Sequence, residues 1–140
     1  MNLRPGARSM THSEKMRLVR AVAMTLFWLA LVVAVTMALL PHPPRLPIDR
    51  FGDKFEHMLA FATLTLLADF AFPTAPRLRI AERLSFLGAL IEVTQSIPSL
   101  HRDCDIRDWI ADTLAILVMA AVLTVWRGAR KAVSNHATLH

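Results

Sequence analysis

Apolar positions gather into four long blocks, separated by short polar or proline-rich stretches. The first, Ala21 to Leu40, carries no charged residue over twenty positions. As a helix rising about 1.5 Å per residue it would be about 30 Å long, the thickness of a bilayer's hydrocarbon core. Pro41, Pro43, Pro44 and Pro47 then end any helix and predict an extended connector. A second block runs from Phe55 to Phe72, with Glu56 and His57 in its first turn and Asp69 near its end. Beyond Pro73, Pro76 and a basic stretch of Arg77, Arg79 and Arg83 lies the third block, Leu84 to Ile97. It carries Glu92 and Gln95 and is the least apolar of the four. Trp109 to Trp126 is the fourth, charged only at Asp112, with tryptophans at both ends where the aromatic belts of a bilayer lie. The pattern predicts an all-α fold, a four-helix transmembrane bundle over residues 21–126, with a basic N-tail (1–20) and a basic C-tail (127–140). A signal peptide is the alternative for the first block, because a basic flank precedes it and Thr36-Met37-Ala38 resembles a cleavage site. The block is longer than a usual signal core, which favours a retained helix.

The distribution of Lys and Arg fixes the expected orientation. The N-tail, the connector between the second and third blocks and the C-tail together hold eleven, against five in the other two connectors. Cytoplasmic segments carry that excess, so both termini are expected inside, which requires an even number of spans and supports the third helix. Acidic residues show the opposite bias. Asp49, Asp53, Glu56, Glu92, Asp103, Asp105, Asp108 and Asp112, eight of the eleven, fall at the external ends of helices or in external connectors. Asp69 is expected to snorkel or cap a helix near the cytoplasmic surface.

Composition narrows the function classes. A chain of 140 residues has room for one domain, and 54% hydrophobic content exceeds what an ordinary soluble domain carries. The net charge of +5 does not read as nucleic-acid binding, because the basic residues sit between apolar runs and no recognition module is present. The single cysteine, Cys104, excludes an internal disulfide and a cysteine-based zinc site. Asp103 and Asp105 beside it disfavour its thiolate and make it a poor nucleophile. No Ser or Cys nucleophile motif, phosphate loop or cofactor motif occurs, and the His and carboxylate spacing matches no standard metal signature. The methionines show no soft-metal spacing and read as packing residues.

What chemistry the chain offers is concentrated at the external ends of three helices. Asp53 and His57 are four apart and share a helix face with Lys54 adjacent, so the carboxylate could orient the imidazole. Capping of a helix start is the plainer role for such an acid. Glu92 and Gln95 share a face with the small residues Ser85, Gly88, Ser96 and Ser99, which permit close helix approach. Their presence in a marginal spanning helix is costly unless they face the bundle. Asp105, Asp108 and Asp112 line one face of the fourth helix if it begins early, preceded by Arg102. Acids in a first turn also complement the helix dipole. Convergence of all these at one depth predicts a polar cluster.

Taken in order, these motifs resemble the VanZ-like family of bacterial membrane proteins. The resemblance runs from about Asp49 to Val125. It lies in Asp53, Lys54 and His57 followed by the aromatic Phe61, then in Glu92 with Gln95, then in Arg102, Asp105, Asp108, Asp112 and Ala115. Asp112 stands where the family usually has Asn, which adds a charge, and Ala115 where it usually has Gly, which loosens the closest helix contact. The resemblance implies a multi-pass protein of the bacterial cytoplasmic membrane. The family takes its name from low-level resistance to the lipoglycopeptide teicoplanin, which makes an effect on glycopeptide susceptibility an expectation.

The leading expectation is a site for a lipid headgroup or envelope precursor. Lys54 and Arg102 would meet anionic groups, Glu92, Asp108 and Asp112 would accept hydrogen bonds or hold the basic residues in place, and His57 and Gln95 would complete the network, in a cluster that also includes Asp53 and Asp105. The alternative is a membrane-embedded enzyme in which His57 with Asp53 is a general base, or His57, Glu92 and Asp108 bind a metal that activates water. A proton or ion pathway would need polar residues through the full depth, and the inner halves of the first and fourth helices are apolar.

Overall fold

A computed structural model describes residues 10–41, 44, 52–100 and 105–137. These form four α-helices, α1 (His12–Leu39), α2 (Asp53–Ala71), α3 (Arg77–Gln95) and α4 (Ile106–Ala137), with a 3₁₀ turn at Pro98–Leu100. Among the described residues there is no strand.

Each boundary has a local cause. Thr11 and Glu14 close a capping box on α1: the Glu14 N–H donates to Thr11 Oγ1 at 3.3 Å and the Thr11 N–H to Glu14 Oε2 at 2.7 Å. That cap starts the helix at His12, well before the apolar block, with Lys15, Arg17 and Arg20 on its first turns. Gly52 precedes α2 at φ 92°, a left-handed conformation that glycine adopts without steric cost. At the other end of α2 the Phe72 N–H donates to Ala68 O at 2.8 Å, and Pro73 and Pro76 turn the chain into α3. The basic stretch expected as a connector is the start of α3: Ile80, Ala81 and Leu84 bury one side of those turns while Arg79 and Arg83 stay exposed on the other. Helix α4 likewise continues past Trp126 through Arg127, Arg130 and Lys131 to Ala137.

α2 is the central helix, packed most extensively on α4 and α1, while α3 packs chiefly on α4. Phe61, Leu64, Ala68 and Ala71 of α2 meet Phe27 of α1, Ile80, Leu84 and Ile91 of α3, and Ile116 of α4 in one core. Polarity is arranged inside out. Asp69, Glu92, Gln95 and Asp112 are buried, while Trp28, Leu29, Val32 and Val33 of α1, Phe86 and Val93 of α3, and Val118, Val122 and Val125 of α4 are exposed. Apolar surface on this scale marks contact with something other than water. Helices α1 and α4 are long and apolar enough to cross a membrane. α2 and α3 are 19 residues each, about 28 Å, but their charged residues are more closely spaced along the helix.

Candidate functional site

The α-helical period sets two stripes against each other. Lys54, His57, Phe61 and Leu64 recur at spacings of three and four along α2. On the facing helix, Asp105 stands just ahead of α4, and Asp108, Asp112 and Ile116 follow at the same kind of spacing. Where the stripes meet, Lys54 Nζ lies 3.1 Å from Asp105 Oδ2 and also pairs with Asp108 Oδ1. One turn deeper, His57 Nδ1 stands 3.6 Å from Asp112 Oδ2, an ion-pair separation rather than a hydrogen bond, with Asp112 only 2% exposed. From α3, Glu92 Oε2 accepts the Asp105 backbone N–H at 3.1 Å, so a buried carboxylate fixes the entry into α4. The Arg107 N–H donates to Asp105 Oδ1 at 2.9 Å. That bond, followed by the Lys54 ammonium, holds the Asp105 carboxyl below the usual carboxylate range.

Beside the charged groups, Trp109 of α4, between Asp108 and Asp112, packs toward α3. The Trp109 indole N–H reaches Ser85, 3.0 Å from its carbonyl oxygen and 3.2 Å from Oγ, and Ser85 Oγ lies 2.8 Å from Thr113 Oγ1. Gly88 sits at this contact: a Cβ there would stand 3.4 Å from Phe61 Cζ and 3.5 Å from Trp109 Cδ1, ordinary contact distance, so the space takes a methyl but not a larger side chain. Trp109, expected at an aromatic belt, is therefore partly buried as part of the helix interface. Leu64, Ala68, Leu84 and Ile116 follow beneath it, so along the described core the polar end gives way to hydrocarbon.

Six of the expected residues thus come together from three helices and the residue ahead of α4: Lys54, His57, Glu92, Asp105, Asp108 and Asp112. Gln95 takes a different partner, its Nε2 donating to Ala38 O at the end of α1 at 2.9 Å, which ties α3 to α1. Arg102 and the side chain of Asp53 lie outside the described residues, as do Asp49, Asp103, Cys104 and the side chain of Ser99. The carboxylate found beside His57 is Asp112 on α4. Ser96 is exposed and donates to Val93 O at 2.6 Å, so among the described side chains of the small-residue stripe Ser85 and Gly88 lie at the helix interface. Among the described residues no three His, Cys, Asp or Glu side chains are grouped to hold a metal ion, and His57, Glu92 and Asp108 do not form such a set.

The opposite end holds a second charged cluster that inspection of the sequence missed. Asp69, expected to snorkel, is 4% exposed, with Oδ1 2.9 Å from Arg77 Nε of α3 and Oδ2 2.6 Å from Arg127 Nη2 of α4. Arg127 also donates to Asp69 O at 3.0 Å, and Arg20 Nε of α1 to Ala71 O at 3.3 Å. The signal was present: an acid inside an otherwise apolar helix needs a partner, and Arg77 and Arg127 lie at matching positions on their own helices.

No protein-family profile, curated protein or solved structure matches the chain.

Proposed function

We propose that the chain is a four-span protein of the bacterial cytoplasmic membrane, VanZ-like in type, with both termini inside. In this reading its external polar cluster binds a lipid headgroup or envelope precursor. The observation that carries the proposal is the convergence of α2, α3 and α4 on one end, where Lys54 meets Asp105 and Asp108, Glu92 accepts from the Asp105 N–H, and His57 faces Asp112. The membrane reading is supported by the inverted polarity, and most tellingly by the outer half of α3, where Glu92 and Gln95 are buried while Phe86 and Val93 face outward. A soluble bundle would place them the other way round. The excess of Lys and Arg at the opposite end supports the orientation.

The ligand chemistry follows from the charge balance. Lys54 is half exposed, with a side-chain exposure of 49%, and leaves part of its ammonium to meet a phosphate. The carboxylates around it outnumber it and favour hydroxyl or ammonium donors. A headgroup that combines phosphate with sugar hydroxyls or an amine meets both requirements. The enzyme reading draws on one specific observation, the His57–Asp112 pair: an imidazole whose Nδ1 faces a buried carboxylate is oriented with Nε2 as a base.

The double change Glu92→Gln with His57→Ala separates the two. Lipid extracts of cells carrying it are analysed beside lipid co-purified with the protein. Loss of a co-purified headgroup lipid, with or without altered glycopeptide susceptibility, supports binding, whereas an accumulating precursor supports turnover. A variant that inserts normally and changes neither overturns the proposal.

A further inference from the structure

We propose that the Arg-rich end of the bundle is a binding site for the phosphate of an anionic phospholipid in the adjacent leaflet, held by Arg20, Arg127 and Arg130. The inference rests on the membrane reading above but concerns the face opposite the candidate site. Three helices each send a guanidinium to the last turn of α2: Arg20 from α1 to Ala71 O, Arg77 from α3 to Asp69, and Arg127 from α4 to Asp69 and its carbonyl. Asp69 compensates one of these charges, and the carbonyl end of α2 supplies a partial negative charge equivalent to roughly half of one more. A surplus of more than one positive charge remains where hydrocarbon meets headgroup. The counter-ions that a bilayer supplies at that depth are lipid phosphates, and guanidinium forks match phosphate geometry.

The aromatic residues place this surplus at headgroup level. Arg130 lies over the Trp126 ring at 4.9 Å, Trp126 meets Phe70 edge-on at 6.3 Å, and Arg127 lies over Phe70 at 5.8 Å. Cation and ring pairs of this kind hold an arginine at an interface with one side still open to a ligand. Arg127 keeps 30% side-chain exposure, and Arg20 and Arg130 are exposed. Arg79 and Arg83 carry the same charge on the outer side of α3 without such contacts to the α2 terminus, which makes them the internal control.

The test uses the full chain reconstituted in phosphatidylcholine vesicles, alone or mixed with phosphatidylglycerol. Lipid retained on the protein after detergent extraction is measured by native mass spectrometry. Wild type is expected to retain phosphatidylglycerol over phosphatidylcholine by roughly tenfold or more, given the attraction of each basic residue for an anionic leaflet. Arg20→Gln with Arg130→Gln should abolish the preference, and Arg130→Gln alone, which removes one of the three phosphate-holding guanidiniums and, within the protein, a stacking contact on Trp126, should lower it several-fold. Arg79→Gln with Arg83→Gln should leave it within a factor of two. The proposal is overturned if wild type shows no preference, if the α3 pair matters as much as Arg20 and Arg130, or if inorganic phosphate displaces the lipid fully. Alkaline carbonate washing separates the two levels. A chain that washes off refutes the membrane reading and this site with it, whereas an integral chain indifferent to headgroup refutes this site alone.

Discussion

Removing the Asp69 carboxylate is the sharpest test of how the helices are held together. In Asp69→Ala, Arg77 and Arg127 lose their shared counter-charge while remaining packed against α2. Deleting one member of a buried ion pair costs about 3–5 kcal/mol, because a charge is left in a low-dielectric site. Here the arginine side chains keep 27% and 30% exposure, so the surroundings screen them partly. Arg127 also retains its bond to the residue 69 carbonyl and its contact with Phe70, and Arg77 its longer bond to Thr124 Oγ1 at 3.4 Å. The expected net loss is therefore about 2–4 kcal/mol, at least a roughly 30-fold rise in the unfolding constant at the lower bound. Denaturant titration of the purified protein in mild detergent, followed by helical circular dichroism, measures it. A cycle with Arg127→Ala should return a coupling of about 1–3 kcal/mol, since the two side chains are in direct contact. A loss under about 0.5 kcal/mol, the scale of an ordinary surface change, would refute the claim that Asp69 joins three helices.

Three further outcomes follow from the opposite end. Glu92→Leu should cost about 1–3 kcal/mol by stranding the Asp105 N–H, while Glu92→Gln, whose carbonyl oxygen can still accept, should cost clearly less; denaturant titration compares them. Gly88→Leu should destabilise by about 1–3 kcal/mol because its side chain meets Phe61 and Trp109, whereas Gly88→Ala, at ordinary contact distance, should stay within about 1 kcal/mol; thermal melting ranks the two. The Asp105 carboxyl is held below its ordinary value, so its contribution is fully present above the unfolded value and disappears as pH falls through the lower folded one. Hydrogen exchange at the start of α4 should remain slow at mildly acidic pH and quicken only below the ordinary carboxylate range. Lys54→Met should move that onset upward.

The helices were legible because a charge-free or nearly charge-free run of spanning length has few other physical explanations. Their ends were not, for one reason in three places. Hydropathy reads only the apolar part of a helix, and α1, α3 and α4 continue beyond it on arginines and lysines, which are good helix formers. Thr11 and Glu14 spell a capping box and could have moved the start of α1 to His12. The outer cluster was legible from shared depth alone, since Lys54, Glu92 and Asp108 sit near the same ends of their helices. Which groups would touch was not. Among the described side chains Asp112 is the carboxylate beside His57, brought there by the packing of α2 on α4. Gln95 shares a face with Glu92 within the precision of a helical wheel, yet one turn suffices to direct it to Ala38 on α1. Asp69 was misjudged because nearness to a surface was read from sequence position, whereas its burial depends on Arg77 and Arg127 covering it from two other helices.

The central claim, four spans with the outer cluster outside and both termini inside, can be tested with the protein's own chemistry. Cys104 is the single cysteine and neighbours Asp105, so in intact cells it reports the side on which the cluster lies. A membrane-impermeant maleimide applied at mildly alkaline pH should label it without permeabilisation. In Cys104→Ser with Ser134→Cys, the cysteine on the last turns of α4 should react only after the membrane is opened. Labelling of both positions in intact cells, or of Ser134→Cys alone, would contradict the account.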